Sequence, residues 1–274
     1  MKTKYSSLFS LPYLIWSLIF IIVPMGLVVV FAFTTEGGQF TLDYVSQVGE
    51  YTNVLVRSVW LAAIATIICL LIGYPLAFIM SRMPGFQQRT MLMLIMLPMW
   101  MNFLLRTYAW MTILEKNGLL NKHFGLVGLG PFDMINTQGA VVLGMVYNYL
   151  PFMILPLYSI MTKIDNRTIE AAQDLGANTK NVFTRIVIPM SMPGISTGIT
   201  MVFVPSVSTF IISRMLGGGG NLLIGDLIDL QFLGNAYNPH LGSAISLVLM
   251  VLILLCMSIL NQFNSDEDRE GMLL

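Results

Sequence analysis

The chain has 274 residues, of which 56% are hydrophobic and 10% are charged, and its mean hydropathy is +0.77. A soluble domain carries about 25% charged residues, so this composition excludes an ordinary soluble protein and indicates an integral membrane protein. The 14 basic residues balance the 14 acidic residues, which leaves no net charge for binding nucleic acid.

Six apolar stretches are long enough to cross a hydrocarbon core, which requires roughly 20 residues in a helix. They cover approximately 8–33, 54–80, 91–114, 138–161, 194–213 and 243–263. The first stretch follows Lys2 and Lys4 but has no clear small-residue cleavage site, so we expect a retained anchor. The predicted fold class is all-α, with six transmembrane helices in one transmembrane domain that comprises residues 1–274.

Lysine and arginine residues predict the orientation of these spans. With the N-terminus inside, the outer loops hold only Lys116, Lys122 and Arg214, and the other basic residues outside the spans are cytoplasmic. We therefore expect both termini in the cytoplasm, a cytoplasmic loop at 162–193 and an outer segment at 214–242.

Two arginines lie at or within the apolar stretches. Arg57 begins the second span on its outer side, where we expect its side chain to extend to the membrane interface. Arg106 lies in the third span, where an arginine costs roughly 3 kcal/mol at the membrane centre and less near the interface. We expect Arg106 to find a partner, a water-filled cavity or a route to the interface, and to have a structural role.

The cytoplasmic loop contains the polar stretch EAAQDLGANTKNVFTRIVIP at 170–189. Asp165 is a candidate N-cap of a first short helix, and Gly176 is suited to the left-handed residue that ends it. Asn178 is a candidate N-cap of a second helix, which Pro189 and Pro193 should end.

Each of the two loop helices has a distinct surface. The second helix carries an apolar stripe formed by Val182, Phe183, Ile186 and Val187. The first helix presents Glu170 and Asp174 one turn apart, as carboxylates for the basic groups of a partner. Small residues let a partner approach this surface closely, namely Ala171, Ala172, Gly176 and Ala177. The alternative is an amphipathic segment that lies on the membrane surface and needs no partner.

The order Glu170, Ala171, Ala172 and Gly176, with Ile186 and Pro189 downstream, resembles the signature loop of bacterial ABC-importer permeases. The resemblance implies that this loop docks into a groove on an ATP-hydrolysing subunit and transmits its closure to the spans. The residues to which it assigns this coupling role are Glu170, Ala171, Ala172, Asp174, Gly176, Ala177, Phe183 and Pro189.

Four further stretches resemble the spermidine/putrescine importer permeases, and specifically the first of their two permease subunits. They are GYPLAF at 73–78, LPMWMNFLLRTYAW at 97–110, LPFMILPLYSI at 150–160 and GGGGNLLIGDLIDLQF at 217–232. The resemblance covers essentially the whole chain and implies the type I ABC importer permease fold. It also implies a second permease subunit in a heterodimer, two ATPase subunits and an external substrate-binding protein. Related permeases for iron, thiamine or opines share parts of these stretches, so another small solute is an alternative cargo.

Catalytic and metal-binding patterns are missing from the sequence. It contains no G-x-x-x-x-G-K-[ST] motif, so ATP and magnesium are expected on the partner ATPase subunits and no cofactor is expected in this chain. Cys69 and Cys256 lie in apolar runs, while His123 and His240 lack ligand spacing, so no metal site is predicted. No nucleophile and base are paired, so the chain is not predicted to be an enzyme.

Two other classes of function compete with this interpretation. A secondary carrier driven by an ion gradient needs an ionisable group inside the membrane, but all 14 acidic residues fall outside the six stretches. A scaffold or sensor that does not transport is not excluded by composition.

The same lack of acids shapes the expected path of a polyamine. Without carboxylates in the spans, the path should bind a polyamine weakly. Aromatic rings should bind its ammonium groups one after another, and each contact should contribute ~1 kcal/mol. Trp100 and Tyr147 are the favoured rings, because Pro98 and Pro151 predict broken helices with free carbonyl groups. Tyr108 and Phe210 complete the candidate substrate pathway, and packing is the alternative role of each ring.

The outer segment 214–242 is a candidate gate. Asn221 is expected to cap a short helix that places Asp226 and Asp229 on one face. We predict that Arg214 pairs with Asp229, or failing that with Asp226, beside Phe210, and so closes the outer mouth. The alternative is a set of solvated charges, since an exposed ion pair contributes only ~0–1 kcal/mol.

Overall fold

A computed structural model describes the backbone of residues 12–271 and the side chains of residues 12–259. The start of the first predicted span and the side chains of Lys2, Lys4 and Arg269 lie outside the described residues. The described chain is helical, and the only β-bridge within it joins Thr34 to Phe40. The predicted all-α class is therefore confirmed.

We number the helices in chain order. They are α1 (Pro12–Ala32), α2 (Asp43–Gln47), α3 (Thr52–Ser81), α4 (Gly85–Trp100), α5 (Phe103–Leu114), α6 (Leu119–Leu126), α7 (Gln138–Met161), α8 (Asn166–Asp174), α9 (Thr179–Ser208), α10 (Ile211–Leu216), α11 (Ile224–Leu233) and α12 (Pro239–Gly271). Helix α1 contains a π turn at Leu18–Ile22, and a 3-10 turn at Val48–Tyr51 leads into α3. Helices α1, α3, α7, α9 and α12 are each long and apolar enough to cross a membrane.

The third predicted span, 91–114, is not one continuous helix. Helix α4 meets the segment Phe103–Leu126, which contains α5 and α6, at a bend of 89°. Met101 is extended at this bend, and the side chain of Asn102 accepts a hydrogen bond from the Leu104 N–H at 2.8 Å. An N-cap of this kind starts a new helix in a new direction, which the apolar composition of 91–114 does not reveal.

Prolines interrupt the helices less than the sequence predicts. Pro189 and Pro193 do not end the second loop helix, which runs on as α9 to Ser208. A π turn at Phe183–Val187 precedes Pro189 and widens the helix where the proline ring would otherwise strike a carbonyl group. The predicted break at Pro151 is also wrong, since Pro151 lies inside the unbroken helix α7.

The chain divides into two compact units, 12–53 with 227–254 and 54–226 with 255 onwards. In the first unit the His240 Nδ1 atom lies 3.0 Å from the Phe31 carbonyl oxygen, and the ring of Tyr44 stacks on the imidazole. His240 is largely buried and joins the end of α1 to the start of α12. The side chains of α1 itself are largely exposed.

The second unit is organised around α7 and α9, which pack closely. A side chain at Gly198 would place its Cβ atom 2.7 Å from the Met153 sulfur atom and 3.3 Å from the Met153 carbonyl oxygen, so the two helices approach closely at this glycine. Methionine and aliphatic side chains fill the core beside this contact, namely Met80, Met153, Leu157, Met161 and Val202.

Helix α9 ends at Ser208 and α10 begins after a short break, against which Gly225 packs. A Cβ atom at Gly225 would lie 2.5 Å from the Ser208 carbonyl oxygen and 2.7 Å from that of Thr209. Both obstacles are backbone atoms, which cannot rotate away as a side chain can.

We therefore expect Gly225→Ala to destabilise the protein by about 1–3 kcal/mol, the usual cost of overpacking. The thermal unfolding midpoint of the detergent-solubilised protein measures this. Gly220→Ala is the matched control, because nothing lies within 4 Å of a Cβ atom there. Equal midpoints for the two variants would contradict the close contact at Gly225.

Candidate coupling loop and outer gate

The loop between α7 and α9 has the local structure that its sequence predicts. The Asp165 side chain accepts a hydrogen bond from the Arg167 N–H at 3.0 Å, and the Asn178 side chain accepts one from the Asn181 N–H at 2.8 Å. Gly176 has a φ of +85°. The Gly176 N–H donates to the Gln173 carbonyl at 2.9 Å, and the Ala177 N–H donates to the Ala172 carbonyl at 3.0 Å. These two bonds form a Schellman motif, which ends α8 and turns the chain toward α9.

One side of this loop is packed against the rest of the protein. Ile164, Val182 and Val187 are buried together, and Ala172 and Ala177 pack against them. The Phe183 ring contacts the rings of Tyr74 and Phe78 edge to face, at centroid distances of 5.5 and 5.7 Å. Phe183 therefore contacts α3, and its role in coupling stays a prediction.

The other side of the loop is exposed. It comprises Glu170, Ala171, Asp174, Leu175 and Gly176, and Leu175 is 89% exposed. The predicted carboxylates and two of the small residues are thus available to a partner. Pro189 is also exposed, further along α9. Sequence reasoning assigned no role to Leu175, although an apolar residue directly before a helix-ending glycine is a usable signal.

Arg82 is a second residue whose role the sequence did not reveal. It follows α3, and its Nη1 atom donates hydrogen bonds to the Ile164 carbonyl, at 3.1 Å, and to the Asn166 Oδ1 atom. Its guanidinium lies 5.5 Å from the centroid of the Phe78 ring. These contacts attach the start of the loop to the end of α3.

The candidate pathway residues do not form one cluster through the ring contacts of the described chain. Trp100 is 80% exposed and Tyr108 is 55% exposed, whereas Tyr147 packs edge to face on Trp110 at 5.4 Å. Because α7 is unbroken at Pro151, the expected helix break with its free carbonyl groups does not accompany Tyr147. Trp100 and Tyr108 are thus open to other molecules and Tyr147 is half-buried, and the pathway role of all three stays a prediction.

The Arg57 guanidinium bonds to the outer segment, and its expected extension to the membrane interface stays a prediction. Its Nη2 atom donates to the Leu222 carbonyl at 2.5 Å, and its Nη1 atom donates to the Gly220 carbonyl at 3.4 Å. The same part of α3 supplies the Ser58 hydroxyl oxygen, which accepts a hydrogen bond from the Ile224 N–H at 2.8 Å. Helix α3 therefore holds the outer segment through hydrogen bonds to its backbone.

The expected cap at Asn221 is wrong. The Asn221 amide instead donates to the carbonyl oxygens of Asn136 and Gly217, both at 2.9 Å. The N–H groups at the start of α11 bond to other side chains. The Ile224 N–H donates to the Ser58 hydroxyl oxygen, and the Leu223 N–H donates to the Asp226 Oδ2 atom, both at 2.8 Å.

Arg214 forms an ion pair with Asp226, one of the two predicted acids. The Arg214 Nε atom lies 3.9 Å from the Asp226 Oδ1 atom, and the guanidinium lies 5.8 Å from the centroid of the Phe210 ring. The Asp226 side chain is fully buried, whereas that of Arg214 is 49% exposed. Asp229 is half-buried one turn further along α11, and its pairing with Arg214 stays a prediction.

Comparisons with known proteins agree with this arrangement. Residues 70–266 match the family described as binding-protein-dependent transport system inner membrane component. The spermidine/putrescine transport system permease protein PotB of Haemophilus influenzae is 40% identical over 93% of this chain and 92% of its own length. The protein of the same name in Escherichia coli is 37% identical over 87% of this chain and 90% of its own length.

Two solved structures share the fold. A bacterial ABC transporter involved in the import of the acidic polysaccharide alginate has a TM-score of 0.75 and 19% identity, covering 96% of this chain and 94% of its own. The bacterial alginate ABC transporter in complex with an alginate pentasaccharide-bound periplasmic protein has a TM-score of 0.78 and 18% identity. It covers 94% of this chain and 92% of its own.

We predict that Arg214 and Asp226 are energetically coupled. In a double-mutant cycle of Arg214→Gln and Asp226→Asn, the double variant should be less destabilised than the sum of the singles, by about 1 kcal/mol. The figure is small because half of the Arg214 side chain faces solvent, which screens the pair. The asparagine retains an oxygen for the Leu223 N–H.

Thermal unfolding of the four proteins gives the coupling, and the pair Lys116 and Asp133 provides the control. Their charged atoms are 3.7 Å apart, but the two side chains are 67% and 82% exposed. The cycle of Lys116→Gln and Asp133→Asn should show a coupling near zero. A coupling of zero at Arg214 and Asp226 as well would mean that their proximity has no energetic effect.

Proposed function

Because the chain belongs to the family of binding-protein-dependent transport system inner membrane components, we propose that it forms one transmembrane half of an ATP-driven polyamine importer. The chain is a multi-pass inner-membrane permease subunit, and its activity is transport and not catalysis. Its function is to line half of the translocation path and to connect that path to ATP hydrolysis on another subunit.

The observation that carries this proposal is the continuity of the cytoplasmic loop with a transmembrane helix. The loop presents an exposed face on α8 and turns through Gly176 directly into α9, which has no break before Ser208. A partner that moves α8 therefore moves the end of a helix that reaches into the core of the spans. This is the mechanical requirement for coupling ATP hydrolysis to transport.

The proposed cargo is a polyamine, spermidine or putrescine. Support comes from the relatives of that name, which match at 37–40% identity over most of the chain. Iron, thiamine and opine-like solutes are the alternative cargoes. Helices α3, α4, α5, α7 and α9 contain no acidic residue, so this subunit offers a polycation aromatic rings in place of carboxylates.

We propose that three further kinds of subunit complete the transporter. A second permease forms the heterodimer, two ATPase subunits bind ATP and magnesium and dock on α8, and an external protein delivers the polyamine. The last of these is supported by the structural neighbour that is in complex with a periplasmic protein. Both termini of the chain lie in the cytoplasm, on the same side as the ATPase subunits.

The test of this function is ATP hydrolysis by the purified complex in lipid nanodiscs. With the binding protein present, spermidine or putrescine should stimulate hydrolysis, whereas iron and thiamine should not. Stimulation by another solute alone would change the assigned cargo and leave the coupling mechanism intact. A chain that transports without ATPase subunits, driven by an ion gradient, would overturn the proposal.

We expect Glu170→Arg to abolish stimulated hydrolysis and uptake while the chain still inserts normally. The Glu170 carboxylate is exposed on the side of α8 that is proposed to dock on the ATPase subunit. An arginine at this position would repel the basic groups that the glutamate should attract. Arg167→Glu is the matched control for the size of the charge change on α8, and it should have a smaller effect. Normal uptake by Glu170→Arg at normal expression would remove Glu170 from the coupling mechanism.

Trp100 provides the test of the pathway. We expect Trp100→Ala to lower the maximal polyamine uptake rate by roughly threefold to tenfold, the factor that corresponds to one ring contact. The apparent affinity should change little, because the external protein sets it. Trp60→Ala is the control, since Trp60 is also exposed, at 63%, but lies on α3. Equal effects of the two variants would assign Trp100 to lipid or packing contacts.

A further inference from the structure

The first part of α9 is built from elements that weaken a helix. Pro189 and Pro193 have no N–H group, so each removes one of the hydrogen bonds that stiffen the helix. A wider π turn at Phe183–Val187 precedes them. Helices kink at prolines and at π turns. We call residues 183–193 the proline segment, and by itself this segment would bend when α8 is moved.

A buried hydrogen bond joins the middle of the proline segment to α3. The Tyr74 hydroxyl oxygen lies 2.8 Å from the Ser191 Oγ atom, and Ser191 is fully buried. The Ser191 hydroxyl donates its one proton to the Ile188 carbonyl oxygen at 2.9 Å, so Tyr74 is the donor in the bond between the two side chains. Ser191 is thus bound both to its own helix and to α3, at a position between the two prolines.

The ring contacts beside this bond do not replace it. The Phe183 ring packs edge to face on the rings of Tyr74 and Phe78, at centroid distances of 5.5 and 5.7 Å. Apolar contact is non-directional, so such rings can slide past each other. A hydrogen bond weakens steeply when it is misaligned. The bond to Ser191 therefore fixes the rotation and height of the proline segment, which ring packing leaves free.

Helix α3 is itself held in place beside Tyr74. It contains a proline of its own, Pro75, but the neighbouring Gly73 packs on α7. A Cβ atom at Gly73 would lie 3.1 Å from the Met153 Cγ atom. Met153 is also the residue of α7 that α9 contacts at Gly198. Both ends of the proline segment thus have a support, α8 on one side and α7 on the other, and Tyr74 holds the part between them.

We propose that Tyr74 is a positioning residue for coupling, which keeps the proline segment straight so that a movement of α8 reaches the contact of α9 with α7. This inference rests on the proposed function, because it concerns how the movement of the docking loop enters the spans. Without the hydrogen bond, a bend in the proline segment absorbs the movement. The ATPase subunits still bind α8 and hydrolyse ATP, but fewer cargo molecules cross for each ATP.

The first test is the number of polyamine molecules taken up per ATP hydrolysed by the complete complex in proteoliposomes. Tyr74→Phe keeps the ring and removes the hydroxyl, so this ratio should fall by about threefold to tenfold, the factor to which one hydrogen bond corresponds. Stimulated hydrolysis should continue. A role in stability alone would lower uptake and hydrolysis together and leave the ratio unchanged, and that result overturns the proposal.

Tyr158→Phe is the matched control for the loss of a tyrosine hydroxyl. The Tyr158 hydroxyl donates to the Gln88 Oε1 atom at 3.0 Å and so joins α7 to α4, not α3 to α9. The ratio should be unchanged in this variant. An equal fall in both variants would show that the loss at Tyr74 is not specific, and would overturn its positioning role.

The second test restores a helix hydrogen bond in place of the lost one. Pro193→Ala returns an N–H group to the proline segment at an exposed position, so no cavity forms. Combined with Tyr74→Phe, it should restore the ratio to within about twofold of the wild type, because a bond of similar strength is regained. Pro205→Ala, which returns an N–H group to α9 outside this segment, is the control and should not restore it. Failure of Pro193→Ala to restore the ratio overturns the proposal.

A third measurement requires no transport. Amide hydrogen exchange of the proline segment, measured on the complete complex, reports how often the segment opens locally. Tyr74→Phe should raise the exchange rate there by about threefold to tenfold, whereas Tyr158→Phe should not. Unchanged exchange overturns the proposal. An unmodified complex whose ATP hydrolysis no polyamine stimulates would instead contradict the proposed function, and the exchange rates would then decide the role of Tyr74.

Discussion

Two helix breaks, at Met101 and at the start of α11, depend on hydrogen bonds to their backbone groups. In a hydrocarbon environment every N–H and C=O group needs a partner inside the protein, so a broken helix is stable only where other residues supply one. At Met101 the Asn102 side chain supplies it from within the chain segment itself. At the start of α11 the partners come from α3, whose Ser58 hydroxyl and Arg57 guanidinium bond to the backbone of residues 220–224.

These hydrogen bonds explain how the outer segment can be irregular and still have a fixed position. Helix α3 fixes the chain just before α11, and the Asp226 side chain both caps α11 and lies beside Arg214. The ion pair is thus built on a carboxylate whose position is already set by the backbone. A half-exposed arginine can leave and return without disturbing that carboxylate, as the predicted gate requires.

The sequence predicted the features that a few neighbouring residues determine. Asp165, Gly176 and Asn178 act on atoms two to four positions away, so their residue types suffice to predict the caps and the turn. The apolar stretches were also predictable, because hydrophobic length is a local property. Tertiary contacts were not: nothing near Arg57 or Arg82 in the sequence indicates the distant carbonyl groups to which they donate. Pro189 did not end its helix, because the π turn at Phe183–Val187 precedes it.

The π turn before Pro189 has a consequence for geometry beyond its tolerance of proline. It holds one residue more than an α-helical turn, and each residue advances a helix by about 100°. The extra residue therefore fixes a rotation about the axis of α9. That rotation relates the first residues of α9, which follow α8, to its later residues, which pack on α7. Removing a single residue from Phe183–Val187 would leave the side chains on the exposed face of α8 unchanged. It would, however, rotate that face by about 100° around the axis of α9. The rotation of α9 about its axis thus decides the direction in which this subunit presents α8 to the proposed ATPase subunits.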